Sequence, residues 1–166
     1  MKITIRKTRI SDAGAIHEQI NSKGVTKELA GYPHPCLLSR IKKDISKGLE
    51  EWKKKKTYSF TILSNNKAVG QVFLENPSKD KGRYEIGYFV GKEHWGKGIA
   101  TKAVKEATKF AFKELKCYKV WGDNDSDNPA SGKAMKKNNY KLEGRLKKHY
   151  KKNGKFIDVL VWGKTK

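Results

Sequence analysis

Two glycines, Gly96 and Gly98, separate a segment typical of a β-strand from one typical of an amphipathic helix. The first N–H groups of a helix have no partner within it, and the helix dipole is positive at that end. Glycine allows positive φ angles and lets a ligand approach the backbone closely. Lys97 adds a cation between the two glycines. The segment therefore predicts a site for an anionic group such as a phosphate.

Two familiar anion-binding patterns do not fit this loop. The phosphate loop needs Gly, four intervening residues, and then Gly-Lys followed by Ser or Thr, and the chain has no such run. The dinucleotide fingerprint needs a third glycine three residues after Gly98, where this chain has Thr101. A plain strand-to-helix turn is the structural alternative to an anion site.

Acidic residues after the predicted fifth strand imitate the start of a calcium loop, with Asp123, Asp125 and Asp127 at alternate positions. A calcium loop also needs Gly at its sixth position and Glu at its twelfth, where this chain has Asn128 and Ala134. These acids therefore form a polar loop or attract a cationic amine. The histidines and the two cysteines show no metal or redox spacing, so we predict no metal and two reduced thiols.

Apolar residues at helical spacing predict four helices around the glycine loop. Ser11 or Asp12 can cap the first helix, and Ser39 can cap the second. Pro129 suits the first turn of the last helix. The third helix follows Gly98 and has the clearest apolar face, formed by Val104, Ala107, Ala111 and Leu115.

Alternating or β-branched residues predict seven strands, at 1–7, 57–63, 68–75, 83–90, 118–122, 140–150 and 156–162. Asn65-Asn66 and Asn153-Gly154 suit the tight turns of two hairpins. The element order is β, α, α, β, β, β, α, β, α, β, β. It predicts a mixed α/β (α+β) fold around one mostly antiparallel sheet, with residues 1–166 as a single domain.

The composition shows a large excess of positive charge, +21, from 38 basic and 17 acidic residues. It is densest at 136–155, where nine Lys or Arg face one acid, Glu143. Such a charge indicates an anionic partner such as RNA, or a lysine-rich proteome. No apolar run approaches the roughly 20 residues that span a bilayer, and Met1 to Arg6 resemble no signal segment. We therefore expect a cytoplasmic protein with no membrane contact.

The segment 85–90, Glu-Ile-Gly-Tyr-Phe-Val, followed by Trp-Gly-Lys-Gly-Ile-Ala-Thr at 95–101, resembles the acetyl-CoA motif of the GNAT superfamily of N-acetyltransferases. That motif runs Gln or Arg, two residues, Gly, one residue, Gly or Ala. Trp95 stands at its first position, while Gly98 and Ala100 match. Trp at that position, and the segment 128–131, are similar to the branch that contains ribosomal-protein N-terminal acetyltransferases.

The resemblance covers nearly the whole chain and implies a central sheet with helices on both faces. It implies that the strand ending at Val90 splays from its neighbour and that the pantetheine arm of acetyl-CoA lies in the gap. The arm would meet backbone groups of Phe89 and Val90 and the side chain of Asn128. The resemblance assigns the rest of the acetyl-CoA site to Trp95, Gly96, Lys97, Gly98, Ile99, Ala100 and Thr101.

The reaction that the resemblance implies is attack by a neutral amine on a thioester. Glu85, a carboxylate in an otherwise apolar strand, is the first candidate for the base, and Asp158 is a rival. Ser131 is the first candidate for the acid that protonates the thiolate, and Tyr140 is the alternative. The structural alternative to a base is that Glu85 is a surface carboxylate on an alternating strand. The structural alternative to an acid is that the Ser131 hydroxyl meets backbone donors in the first turn of a helix.

The acceptor amine is less well defined. By resemblance, Tyr32 lies in the loop at 31–36 where the family admits the acceptor. Deprotonation at neutral pH costs about 1 kcal/mol for an α-amine and about 4.6 kcal/mol for a lysine, which favours the α-amine of a protein, as in the ribosomal-protein branch. A polyamine or aminoglycoside acceptor, a nucleic-acid-binding module without enzymatic activity and a CoA sensor without turnover remain alternatives. The turn 138–140 lacks the glycine common in the family.

Overall fold

The computed structural model describes residues 1–29, 32–76 and 82–166. Gly31, the first residue of the predicted acceptor loop, lies outside the described residues. The described part of the chain contains four α-helices: α1 (Ala13–Ile20), α2 (Leu38–Lys53), α3 (Ile99–Lys113) and α4 (Pro129–Lys137). It also contains seven strands: β1 (Ile3–Lys7), β2 (Thr57–Ser64), β3 (Lys67–Glu75), β4 (Arg83–Val90), β5 (Lys119–Asp125), β6 (Lys141–Lys152) and β7 (Lys155–Thr165).

The strands form one sheet in the order β1-β2-β3-β4-β5-β7-β6. Within the described residues every neighbouring pair is antiparallel except β4 and β5, which are parallel. Helix α3 packs on one face, where Val104, Ala107 and Ala111 are fully buried. Helices α1 and α2 cover the other face through a second cluster that includes Ile16 and Ile41. The predicted fold, with a mostly antiparallel sheet and helices on both faces, is confirmed.

The tight turns have the backbone conformations that their residues favour. Asn65 and Asn66 join β2 to β3 with φ angles of 48° and 67°, and Asn153 and Gly154 join β6 to β7 with 51° and 78°. Positive φ at both central residues is the hairpin geometry predicted from these pairs. Asn139 has a φ of 62° before β6, so an asparagine adopts the conformation for which the family uses glycine.

The helix starts differ from the prediction. Helix α2 begins at Leu38, so Ser39 lies inside its first turn and does not cap it. Asp12 occupies the N-cap position of α1, but its carboxylate does not cap the helix. It forms an ion pair of 2.7 Å with Arg6 and accepts a hydrogen bond from Thr61, which ties β1, β2 and the start of α1 together. Burial would raise the pKa of Asp12, but these hydrogen bonds lower it to about 2.

The parallel pair β4 and β5 stays together over a short distance only. Residues 83–85 pair with 119–121, and beyond this point the two strands have no pairing, although β4 runs to Val90 and β5 to Asp125. This is the splay that the resemblance implied. It leaves a gap in the middle of the sheet.

Cys36 and Cys117 are buried free thiols, and burial raises the pKa of each. Neither is therefore a ready nucleophile. Among the described residues, no helix is both long enough and apolar enough to cross a membrane.

Candidate active site

A cleft of about 1840 Å³ opens where β4 and β5 separate. Its walls come from β4, the glycine loop, the segment between β5 and α4, and the segment between α1 and α2. Most of the residues predicted from the sequence line it: Tyr32, Glu85, Phe89, Val90, Trp95, Gly96, Gly98, Ile99, Ala100, Thr101, Asn128 and Ser131. Two described residues of the predicted site, Lys97 and Tyr140, lie outside this lining.

The glycine loop has the backbone form that an anion site requires. Gly96 and Gly98 both have a φ of 74°, and Gly98 is the N-cap residue of α3. A Cβ atom at either position would have no neighbour within 4 Å, so the space beside the backbone is open. The Lys97 ammonium instead donates to the carbonyl of Glu93 at 2.8 Å. The Lys97 ammonium is thus engaged within the loop, while Gly98 and Ile99 at the start of α3 line the cleft.

The pairing of β3 with β4 decides which backbone groups of β4 face the gap. Gly91 donates its N–H to the carbonyl of Val69 at 2.9 Å. In an antiparallel pair, every second residue of a strand directs its N–H and C=O to the partner strand. Phe89 lies two residues before Gly91 and opposite Gln71, so it also directs these groups to β3. The N–H and C=O of Val90 point to the other side, towards the gap. Of the two residues that the resemblance assigned to the pantetheine arm, Val90 offers backbone groups and Phe89 does not.

Trp95, the departure from the usual motif, contacts that same strand end. Its indole Nε1–H donates to the carbonyl of Val90 at 2.7 Å, while 47% of the residue stays exposed. The indole thus engages the Val90 carbonyl, and by the same alternation the N–H groups of Tyr88 and Val90 are backbone donors that point towards the gap. A donor fixed in this way can bind a carbonyl oxygen.

Glu85 is the last residue of β4 that pairs with β5, where its partner is Trp121. On the other side of the strand its partner is Glu75 of β3. It is half-buried and lines the cleft. Burial, and then the negative charges of Asp123 and Glu75, raise the pKa of Glu85. A carboxylate with a raised pKa is a stronger base than an ordinary one.

Sequence reasoning missed Tyr88, which lies on β4 and contacts the start of α4. Its hydroxyl donates to the carbonyl of Ser131 at 2.8 Å and lies 2.9 Å from the Ser131 hydroxyl. Burial raises the pKa of Tyr88 to about 12, so it stays protonated. Asn128 caps α4, and its side-chain oxygen accepts from the N–H of Ser131 at 3.4 Å. The signal for Tyr88 was a tyrosine among the apolar residues of the strand that leads to the glycine loop.

Two alternatives for the catalytic groups are not brought to the cleft. Tyr140 is only 2% exposed, and its hydroxyl lies 2.7 Å from that of Thr108 inside the main core. The carboxylate of Asp158 accepts from Arg145 at 2.7 Å and from the N–H of Lys148 at 2.8 Å, on the outer hairpin. Tyr140 is thus a core residue, and Asp158 holds a turn of the β6–β7 hairpin. The geometry does not support an acid or base role for either.

Tyr32 lines the opposite wall of the cleft, as the resemblance implied. Its hydroxyl donates to Asp44 at 3.2 Å, and the guanidinium of Arg40 lies 5.5 Å from its ring centre. Burial and the charge of Asp44 raise the pKa of Tyr32 to about 12. The ring is therefore held by α2 as a neutral wall of the cleft.

A mostly buried ammonium lies in the lining of the cleft, in what we call the Lys152 cluster: Lys152, Glu28, Asp125 and Asp127. The Lys152 ammonium lies 2.9 Å from Asp125 and 3.4 Å from both Glu28 and Asp127. In the described chain these three carboxylates approach within 4.8 Å of one another, close enough for a metal ion, but the ammonium lies among them. Of the three predicted acids, Asp125 and Asp127 thus bind an amine of the chain itself, Lys152, and Asp123 is not part of this cluster.

The Lys152 cluster also corrects the predicted basic surface. The Lys152 side chain is only 14% exposed, so it is not available to a partner, unlike Lys147, Lys148, Lys151 and Lys155. Burial alone would lower the pKa of Lys152, but the three carboxylates raise it. The cluster joins the tip of the β6–β7 hairpin to both segments that wall the cleft.

We predict that Lys152→Met lowers the free energy of unfolding by about 1–3 kcal/mol at neutral pH, because it removes the ammonium that neutralises three clustered carboxylates. This difference in the free energy of unfolding should persist up to the pKa that lysine has in the unfolded chain. It should vanish as the pH rises through the higher pKa of Lys152 in the folded chain, since Lys152 then loses its charge. Urea unfolding followed by circular dichroism measures it, with the exposed Lys155→Met as control. Equal losses in the two variants would contradict the cluster's role.

Comparison with known proteins agrees with this geometry. A family model of an acetyltransferase (GNAT) domain matches residues 2–141. A protein named "Uncharacterized N-acetyltransferase p20", from Bacillus licheniformis, is 25% identical over 166 residues, which cover 99% of this chain and 93% of the relative.

Two solved structures share the fold. RimL, a ribosomal L7/L12 alpha-N-protein acetyltransferase in complex with coenzyme A, has a TM-score of 0.89 at 17% identity, over 99% of this chain and 94% of that one. A spermidine N-acetyltransferase from Vibrio cholerae, in complex with CoA and spermine, has a TM-score of 0.83 at 19% identity, over 98% and 95%. Because the family model matches most of its length, this chain belongs to the GNAT acetyltransferases, enzymes that transfer an acetyl group from acetyl-CoA to an amine.

Proposed function

We propose that this chain acetylates the N-terminal α-amine of a protein, with a ribosomal protein as the acceptor. The observation that carries the proposal is the position of Glu85, a half-buried carboxylate of raised pKa at the point where β4 and β5 separate. A base there takes the proton of an ammonium group that enters the gap, either directly or through one water. Acetyl-CoA and ribosomal proteins are both found in the cytoplasm, which is the proposed location.

The donor binds along β4 and at the glycine loop. The N–H groups at the start of α3 meet the pyrophosphate, since Gly96 and Gly98 leave open space beside them. The Val90 N–H faces the pantetheine arm or the thioester oxygen, and Asn128 approaches the arm from the opposite wall with its side-chain NH₂ group. Positioning of this kind supplies about 7–11 kcal/mol of the barrier reduction in well-aligned reactions.

In the chemical step the neutral amine attacks the carbonyl carbon of the thioester, a C–N bond forms and the C–S bond breaks. Glu85 receives the proton of the amine, and Ser131 supplies a proton to the departing thiolate. Tyr88 donates its own proton to the carbonyl of Ser131, which leaves the Ser131 hydroxyl proton free for the sulfur. Tyr88 is thus a positioning residue for Ser131.

The α-amine is favoured as acceptor because of the base. One carboxylate of raised pKa is well matched to an amine with a pKa near 8, and less well to one above 10. A ribosomal acceptor also agrees with the net charge of +21, because such a protein is surrounded by RNA. The fold is shared with RimL, whose name describes an acceptor of this class.

A second candidate, a polyamine acceptor, is favoured by one observation. Glu85 does not stand alone: Asp123 and Glu75 lie near enough for their charges to raise its pKa, and all three line the cleft. A ligand with several ammonium groups would neutralise them together. The spermidine acetyltransferase from Vibrio cholerae shares the fold and was solved with spermine.

Direct competition between acceptors distinguishes the two functions. We expect a higher kcat/KM for short peptides with ribosomal-protein N-terminal sequences than for spermidine, with the acetyl group on the N-terminal nitrogen. Released CoA thiol gives the rates, mass spectrometry locates the product, and Nα-blocked peptides of the same sequence serve as controls. A preference for spermidine would favour the second candidate, and CoA binding without turnover of any amine would indicate a sensor.

The loop assignment predicts that Gly98→Asn weakens CoA binding about 10- to 100-fold, the loss expected when hydrogen bonds to a charged phosphate are blocked. Asparagine tolerates the left-handed conformation, so the start of α3 should persist while a side chain fills the phosphate's space. Gly154→Asn is a matched control, with a φ of 78°, equally open surroundings and a position outside the cleft lining. Calorimetry with CoA measures both. Unchanged affinity in a folded Gly98→Asn protein would refute the assignment.

The base assignment predicts that Glu85→Gln lowers kcat about 100-fold at neutral pH and retains CoA binding. The deficit should shrink as the pH rises, because the amine then loses its proton unaided. Glu75→Gln is the control: it removes a negative charge that raises the pKa of Glu85, so the acidic limb of the pH profile should move to lower pH with little loss of maximal rate. A constant ratio of Glu85→Gln to wild-type rates across the pH range would make Glu85 structural.

A further inference from the structure

The β6–β7 hairpin carries an exposed aromatic ring that neither core uses. Strand β6 is the edge of the sheet, and Phe156, at the start of β7, is 55% exposed. Two lysines of β6, Lys148 and Lys151, flank this ring. We call these three side chains the Phe156 platform.

The ammonium groups of the platform lie against the ring. Lys151 is the cross-strand partner of Phe156, and its ammonium lies 4.9 Å from the ring centre, while that of Lys148 lies 5.6 Å away. Both are within the range of a cation–π contact. The contacts hold two positive charges beside an aromatic surface that remains open to solvent.

The position of Lys148 is fixed by a bulge in β6. Between Leu146 and Tyr150 the register with β7 shifts, and Lys148 has a φ of 49°. Asp158 holds this conformation, because its carboxylate accepts from the Lys148 N–H at 2.8 Å and from Arg145 at 2.7 Å. The acid that sequence reasoning considered as a base thus places a lysine over Phe156.

The surroundings of the platform are strongly basic. The stretch 136–155 has nine Lys or Arg and one acid, Glu143, which forms an ion pair with Lys119 at 2.6 Å. Lys152 is neutralised by its own cluster, while Lys147, Lys148, Lys151 and Lys155 are exposed. This charge is complementary to a polyanion and exceeds what the local acids balance.

We propose that the Phe156 platform binds single-stranded RNA, with a base stacked on the ring and phosphates at Lys148 and Lys151. Proteins that bind single strands combine a basic surface with aromatic side chains on which bases stack. Double-stranded RNA keeps its bases stacked inside the helix and would use the charges alone. None of the three side chains lines the cleft, so this binding is separate from acetyl transfer and does not rest on the proposed acceptor.

The test is fluorescence anisotropy of the full chain with a labelled oligouridylate of about 12 nucleotides, without acetyl-CoA. We expect Phe156→Ala to weaken binding about tenfold and Phe156→Tyr to retain it, since a tyrosine ring also stacks. Because Phe156 is exposed, both variants should unfold at the wild-type temperature and acetylate a small amine acceptor at the wild-type rate.

A matched pair of charge variants separates the platform from the general positive charge. The first double variant combines Lys148→Glu with Lys151→Glu in the platform. The second combines Lys42→Glu with Lys43→Glu on α2, where both lysines are likewise exposed. The two double variants change the net charge by the same amount, because every Lys→Glu exchange removes two positive units. Only the platform variant should lose much of its affinity for the oligouridylate. In that variant the slope of the logarithm of the binding constant against the logarithm of the salt concentration should also become shallower, by about 1.4 for two phosphate contacts.

Three outcomes would overturn the proposal. The first is an equal loss in both charge variants, which would indicate a diffuse electrostatic attraction. The second is an unchanged affinity of Phe156→Ala, which would exclude stacking. The third is equal or tighter binding of wild type to double-stranded RNA or to phosphatidylserine vesicles, which would assign the surface to another anionic partner.

Discussion

The active site depends on one constraint: two parallel strands pair over three residue positions and then separate. Gly122 marks the last close approach, since a Cβ atom there would lie 2.7 Å from the carbonyl oxygen of Ile86. Beyond it, the backbone groups of β4 that face β5 lose their partner, and buried backbone groups require one. The Trp95 indole satisfies the carbonyl of Val90. The Val90 N–H points to the same side, so the separation of the strands creates both the gap and the backbone donor on which the proposed binding of acetyl-CoA depends.

The part of the fold that follows from local sequence could be predicted. Alternation in strands and helical spacing follow from which side chains are buried, and the paired turn residues indicate positive φ angles. The predicted element order and both predicted hairpins are therefore correct. The glycine loop was predictable for the same reason, because Gly98 adopts a conformation that few other residues tolerate. The start of α2 was not, since its N-cap position is held by Leu37, which makes no side-chain capping hydrogen bond, and Ser39 lies inside the first turn.

The contacts that complete the site join distant parts of the chain and leave no local pattern. Lys152 and Glu28 are 124 positions apart, and Tyr88 and Ser131 are 43 apart. Lys152 looked like one more surface lysine because neighbouring lysines surround it in sequence, although three carboxylates enclose it in space. Tyr140 looked like a candidate acid for a similar reason, and only the packing of its ring beside Thr108 shows that it belongs to the core. Charge and residue type indicate chemistry, but the enclosure of each group decides its role.

The hydrogen bond between Trp95 and the carbonyl of Val90 has a consequence for inhibitor design. An inhibitor that copies the pantetheine arm contains amide bonds, each with an oxygen and an N–H. In the proposed binding mode, an oxygen of the compound opposite Val90 meets the backbone N–H, whereas an N–H meets a carbonyl that already accepts from the indole. Exchanging an amide for an ester at that point of the compound should therefore cost little affinity. Reversing the amide should cost more, because its oxygen no longer meets the Val90 N–H and its N–H must share a carbonyl that already accepts from the indole.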